Sequence, residues 1–190
     1  MQRLIKDRLI INDPYIFAAP TEEGSLMLPN GPVLVSLSTW QTFREALLAH
    51  QHAKGIQLKP DEFAEAIASE LEHVDLVAIE FPAFADGRGY STGYTLRSRL
   101  GFKGELRAVG DVFKDTMFYQ QRCGFNAFVV RADKRMDDAL KGLDTFSTPY
   151  QGTATEPSPL FRRRSAQIAR IKKPPDGGFF ICRKPLWATR

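Results

Sequence analysis

Cysteine is almost missing from this chain. The two that it has, Cys123 and Cys182, lie far apart and form no CxxC pair. That spacing excludes a zinc ribbon, an iron–sulfur cluster held by cysteines and a disulfide framework, and it points to a reducing, cytoplasmic setting. Long apolar runs are missing as well. No stretch reaches the ~20 residues that cross a bilayer, so no membrane span is expected. The opening Met1-Gln2-Arg3-Leu4-Ile5-Lys6-Asp7 has no apolar segment of the kind a secretory signal needs. There is no GxGxxG, no Walker sequence and no HExxH. The three histidines, His50, His52 and His73, fall on or just after helical segments. That places them at the N-terminal side of the following strands, away from the chemistry-bearing edge of an α/β sheet. No metal site is expected.

Charge of one sign is lacking in the body. The net charge is +4, but residues 160–190 hold nine Lys and Arg and a single acid, Asp176. Subtracting them from the whole leaves 17 bases and 21 acids, a body of −4. The basic character belongs to the tail. A mildly acidic body does not read as a nucleic-acid-binding domain, and a basic tail alone binds phosphate without specificity.

What is present is a regular alternation. Apolar runs at Val33–Leu37, Ile56–Leu58, Val74–Phe81, Leu106–Val109 and Phe125–Val130 read as strands. Between them lie helical patterns: Trp40, Phe43, Leu47 and Leu48 behind a Ser38/Gln41 capping box, Phe63, Ile67 and Leu71 within Asp61–Glu72, then Ser91–Leu100, Phe113–Arg122 and Asp133–Leu140. Continuous apolar strands suit a parallel sheet covered on its faces. Five βα units fall short of an eight-stranded barrel. The expectation is an α/β fold, parallel strands alternating with helices, as a partial barrel or an open sheet. A short N-terminal β segment precedes it, with Arg3–Ile11 and Tyr15–Ala18 around Asn12-Asp13-Pro14. Residues 1–146 form the single domain. Residues 147–190, opening on a Ser, Thr, Gly and Pro stretch, read as a linker and a disordered basic tail.

In such a sheet, ligands bind where the strands end. Those ends carry Lys59, Glu80, Asp111 and Arg131. The third strand runs into Phe81-Pro82-Ala83-Phe84-Ala85-Asp86-Gly87-Arg88-Gly89-Tyr90-Ser91. This is a loop with glycines and an arginine, followed by a helix start, which suits a small anion. The candidate site is therefore Glu80, Asp86, Gly87, Arg88, Gly89, Tyr90, Ser91 and Asp111. Blander roles compete: Glu80 and Asp111 as caps, Asp86-Gly87 as a turn, Tyr90 as a packing ring, Arg122 as a partner of its helix dipole. Cys123, at a helix end with no histidine near it in sequence, reads as structural.

Three motifs, the Phe81–Ser91 segment, Gly104-Glu-Leu-Arg-Ala-Val-Gly-Asp-Val112 and Arg122-Cys-Gly-Phe125, resemble an uncharacterised bacterial family, the domain of unknown function nine-three-four, over residues 30 to 132. Ser91-Thr92-Gly93-Tyr94-Thr95 departs from the expected pattern by a glycine where a better helix former belongs, and Val112–Thr116 differs as well. The resemblance implies an oxidoreductase, or an accessory protein, of assimilatory sulfite reduction. It implies sulfite reductase or another sulfur-assimilation enzyme as partner. The cofactor is left unknown. No residue set here supplies redox chemistry, so electron transfer would need a bound group such as flavin. The alternative is a non-catalytic protein that binds such an enzyme.

Overall fold

A computed structural model describes residues 2–22, 24–146 and 149–164. The apolar runs become parallel strands: β4 (Val33–Ser36), β5 (Lys54–Leu58), β6 (Leu76–Phe81), β7 (Glu105–Gly110) and β8 (Ala127–Phe128). Each is hydrogen-bonded in parallel to the next. Three N-terminal strands complete the sheet: β1 (Arg3–Lys6), β2 (Leu9–Asn12) and β3 (Ile16–Phe17). The order is β2-β1-β8-β7-β6-β5-β4-β3. Arg3–Ile11 is thus a hairpin rather than one strand. Its turn residues Asp7 and Arg8 have φ of 47° and 68°, the left-handed region that a two-residue hairpin turn requires. An Asp-Arg pair carries no glycine to announce that turn.

The first and last strands of the sheet, β2 and β3, are neighbours in sequence. From Asn12 to Ile16 the chain can reach at most about 14 Å, at ~3.6 Å per residue. Eight flat strands at ~4.8 Å spacing would be about 34 Å across. The sheet must therefore curl, and it forms a half-barrel with Asp13, Pro14 and Tyr15 drawn across its inner face.

The outer face carries the main core. Val77, Ile79, Phe81, Leu106, Ala108 and Phe128 alternate outward along their strands. They meet Trp40 of α1 (Leu37–Thr42), Leu47 of α2 (Arg44–Ala49), Leu96 of α3 (Arg88–Ser98), Met117 of α4 (Lys114–Arg122) and Ala139 of α5 (Met136–Gly142). The inner face is smaller, with Leu34, Leu76 and Ala78 under Tyr15 and Val109. It also buries Arg107, only 1% exposed. Arg107 Nη1 lies 2.8 Å from Asp13 Oδ2 and Nη2 lies 2.7 Å from Glu105 Oε1. Nε donates to the same Glu105 oxygen at 2.8 Å, and Lys6 Nζ takes the other at 2.8 Å. The guanidinium sits 5.2 Å from the centre of the Tyr15 ring. This cluster ties the crossing segment to β7.

Several local readings need correction. The first helix is capped by Ser36, whose hydroxyl accepts from the Thr39 amide at 3.2 Å. Ser38, one residue inside, does not serve. That helix also breaks at Phe43 into α1 and α2. The segment expected as helix 61–72 is a 3-10 helix over Ala64–Glu70. Its inward residues Ala64, Ile67 and Glu70 recur every three positions, the 3-10 period. Phe63, expected on the buried face, is 69% exposed. Helix α3 starts at Arg88, three residues before the expected Ser91.

Residues 149–164 lie against the body. The Ala154 amide donates to the Arg122 carbonyl at 2.9 Å, and Thr153 is buried. The tail expected beyond 164 lies outside the described residues.

Candidate functional site

Because β6 and β7 run in parallel, their ends open on one edge. Phe81 pairs with Gly110 in register, and the Asp111 amide donates to the Phe81 carbonyl at 2.6 Å. The next residues form two charged pairs. Asp86 accepts from Arg88 twice through Nε, at 3.0 and 3.2 Å, and from Nη2 at 2.6 Å. The Arg88 amide also donates to Asp86 Oδ1 at 3.1 Å. The carboxylate therefore occupies the start of α3, where an incoming anion was expected to sit. These Arg88 hydrogen bonds hold the Asp86 carboxyl below its ordinary value. The second pair is Asp111 with Arg131, at 2.7 Å. Arg131 also donates to Asp133 at 2.9 and 3.0 Å. The hydrogen bonds that Arg131 donates to Asp111 and then to Asp133 raise its pKa.

Aromatic rings link the pairs. Phe84 contacts Phe113 at 5.7 Å between ring centres, and Arg131 lies 6.0 Å from the centre of Phe113. No hydrogen bond joins one pair to the other among the described residues. Glu80 shares the inner face with Leu76 and Ala78, and its carboxylate has no hydrogen-bond or ionic partner among the described residues.

The glycines serve packing. A Cβ on Gly89 would lie 2.8 Å from the Phe81 ring, and one on Gly93 would strike Phe125. The glycine at position 93 thus has a physical cause: α3 lies directly on two phenyl rings. Tyr90 packs between Phe81 at 5.1 Å and Tyr119 at 4.9 Å, and burial raises its pKa. Gly87 precedes the first helical residue. Ser91 is exposed and lines a cleft of about 250 Å³ with Arg88, Phe63, Thr92 and Thr95. Burial pushes the Cys123 thiol up to about 11, which keeps it protonated and unreactive at neutral pH.

Sequence reasoning missed Phe63 and Phe84 as surface residues. Phe84 is 65% exposed and meets Phe113 beside Arg131, while Phe63 lines the cleft with Arg88. Phe84 sits inside the turn that the Asp86 amide closes on the Ala83 carbonyl. A phenyl ring in such a turn is a signal in itself, since a turn buries little. Among the described residues no group of His, Cys, Asp and Glu is arranged to hold a metal ion. No helix there is long and apolar enough to cross a membrane.

The pattern of a family described as "Bacterial protein of unknown function (DUF934)" matches residues 55–161, from β5 through the segment that packs behind α4. No curated protein matches the chain. With more than half of its length matched, the chain belongs to that bacterial family.

Proposed function

We propose that this protein is a non-catalytic accessory of assimilatory sulfite reduction that docks on an enzyme of that process through the strand-end surface. The family resemblance supplies the process. One observation favours docking: at the strand ends Arg88 is already paired with Asp86 and Arg131 with Asp111, and two exposed phenyl rings stand beside them. Arginine and aromatic side chains are the enriched components of protein–protein contacts. Asp86 competes with any small anion for Arg88.

The test is calorimetry with purified sulfite reductase. Phe84→Ala is expected to weaken binding by about ten-fold or more, as an aromatic anchor does. Unchanged affinity for the variant, or no affinity for the wild type, would remove this reading.

A second reading keeps an oxidoreductase with an anion or cofactor phosphate at Arg88. Its support is the small cleft where Arg88 meets Ser91, Thr92 and Thr95. Arg88 Nη1 has no partner among the described residues. At about 250 Å³ the cleft suits sulfite or sulfate, and it falls short of the roughly 300–1,000 Å³ of larger ligand sites. Flavin mononucleotide is therefore disfavoured there. Binding of sulfite by the wild type and not by Arg88→Ala would move the conclusion to this reading.

A further inference from the structure

A second cavity lies at the opposite edge of the sheet. Its volume is about 810 Å³, inside the range for small-molecule sites. Lys103 precedes β7 and Asn126 precedes β8, so the cavity opens at the N-terminal ends of the parallel strands. The end of α4 and the 149–164 segment wall the other side.

Its charge is lopsided. Arg8, Arg97, Lys103, Arg122 and Arg163 line it, against Asp7 and Glu156. Arg8 is neutralised by Asp144. Arg97 spends its donors on the Phe102, Gly104 and Gly124 carbonyls and braces the wall, and burial pushes its pKa down. Three cations remain without a carboxylate among the described residues: Lys103, Arg122 and Arg163. The Nε atoms of Arg122 and Arg163 are buried with no acceptor among the described residues, while Arg163 Nη2 donates to the Pro149 carbonyl at 3.3 Å. A helix dipole would explain an exposed Arg122 but not a buried donor left empty, which is costly. The segment carrying Arg163 is anchored on the backbone of Arg122 itself, through Ala154.

The walls are aromatic as well as basic. Phe118 and Phe146 meet edge-on at 5.3 Å, and Phe146 is 64% exposed. A flat ring with a phosphate tail satisfies both features. We propose that this cavity binds a nucleoside diphosphate, with phosphate oxygens on Arg122, Arg163 and Lys103 and the base against Phe146. Guanidinium groups grip phosphate oxygens through charge-assisted hydrogen bonds, and a base gains from stacking on an aromatic ring. The site does not depend on the strand-end surface around Arg88.

Calorimetric titration of the full chain with ADP and with inorganic pyrophosphate tests this. The wild type is expected to bind ADP, and Arg122→Gln and Arg163→Gln each to weaken it by about ten-fold or more. Phe146→Ala is expected to weaken ADP and leave pyrophosphate unchanged. Arg88→Ala is expected to bind ADP like the wild type, which separates this site from the strand-end reading. Thermal unfolding of each variant checks its fold. Lys103→Gln, at an exposed position, gives a weakened variant should the arginine changes unfold the chain. No binding of millimolar ADP by the wild type would overturn the proposal. So would wild-type affinity in the folded double variant Arg122→Gln/Arg163→Gln, or in Lys103→Gln if the arginine variants do not fold. Pyrophosphate binding as tightly as ADP would overturn the nucleotide assignment.

Discussion

Tyr15 shows what one residue reports about the inner face. Burial, then the Glu105 and Asp75 carboxylates, push its hydroxyl up to about 12, while Arg107 pulls the other way. The folded chain therefore keeps the phenol proton over a range in which the unfolded chain releases it, beginning near the ordinary value of about 10. Tyr15's contribution is complete below about pH 10 and is lost as pH rises to about 12. Chemical denaturation at stepped pH is expected to show wild-type stability falling through that window more steeply than Tyr15→Phe. Equal slopes would mean that the ring is better hydrated than its surroundings imply. None of this environment was legible in the sequence. Arg107 sits in a strand that reads as apolar, and its partner Asp13 is 94 positions away. Asp86, Arg88 and Asp111 could be placed at the strand ends, because parallel strands share a direction. Who pairs with whom depended on loop geometry that no periodicity encodes.

At the scale of elements, α3 sets two tendencies against each other. Alanine is the better helix former by about 1 kcal/mol, so propensity alone favours Gly93→Ala. Packing opposes it, because the new methyl group meets the Phe125 ring, and overpacking a filled core costs about 1–3 kcal/mol. Packing is expected to win, giving a net loss of about 1 kcal/mol in urea denaturation. A gain would show that Phe125 can step aside. The strands were legible as elements because buried parallel strands are continuously apolar. The helices were legible in place, and only the one within residues 61–72 was misread in kind. An apolar i, i+4 spacing at Phe63, Ile67 and Leu71 suggested an α-helix, yet the chain uses the three-residue period that brings Glu70 to Trp40 Nε1 at 3.1 Å.

The whole molecule depends on its N-terminal strands. Leu4 and Ile5 are fully buried, β1 pairs with β8, and Asp13 neutralises Arg107. Deleting residues 2–17 exposes that apolar surface and strips Arg107 of Asp13, leaving an incompletely paired charge whose loss costs about 3–5 kcal/mol in comparable cases. That is a large share of the roughly 5–15 kcal/mol that holds a domain together. The truncated chain is expected to lose its cooperative thermal transition by circular dichroism. A sharp melt at the wild-type temperature would show that the parallel strands stand alone. The partial-barrel architecture could be anticipated from the count of βα units. Its closure could not, because it rests on the short reach from Asn12 to Ile16 and on register between distant residues.

That closure also orders events during synthesis. Residues 3–6 are made more than a hundred residues before their partner on the sheet, residues 127–128. Until then the hairpin has no edge to join, and Leu4 and Ile5 stay available to chaperones. The hairpin that completes the half-barrel is translated before the strand it joins and is seated after it, so the pace of elongation past residue 128 governs how long the nascent chain remains open.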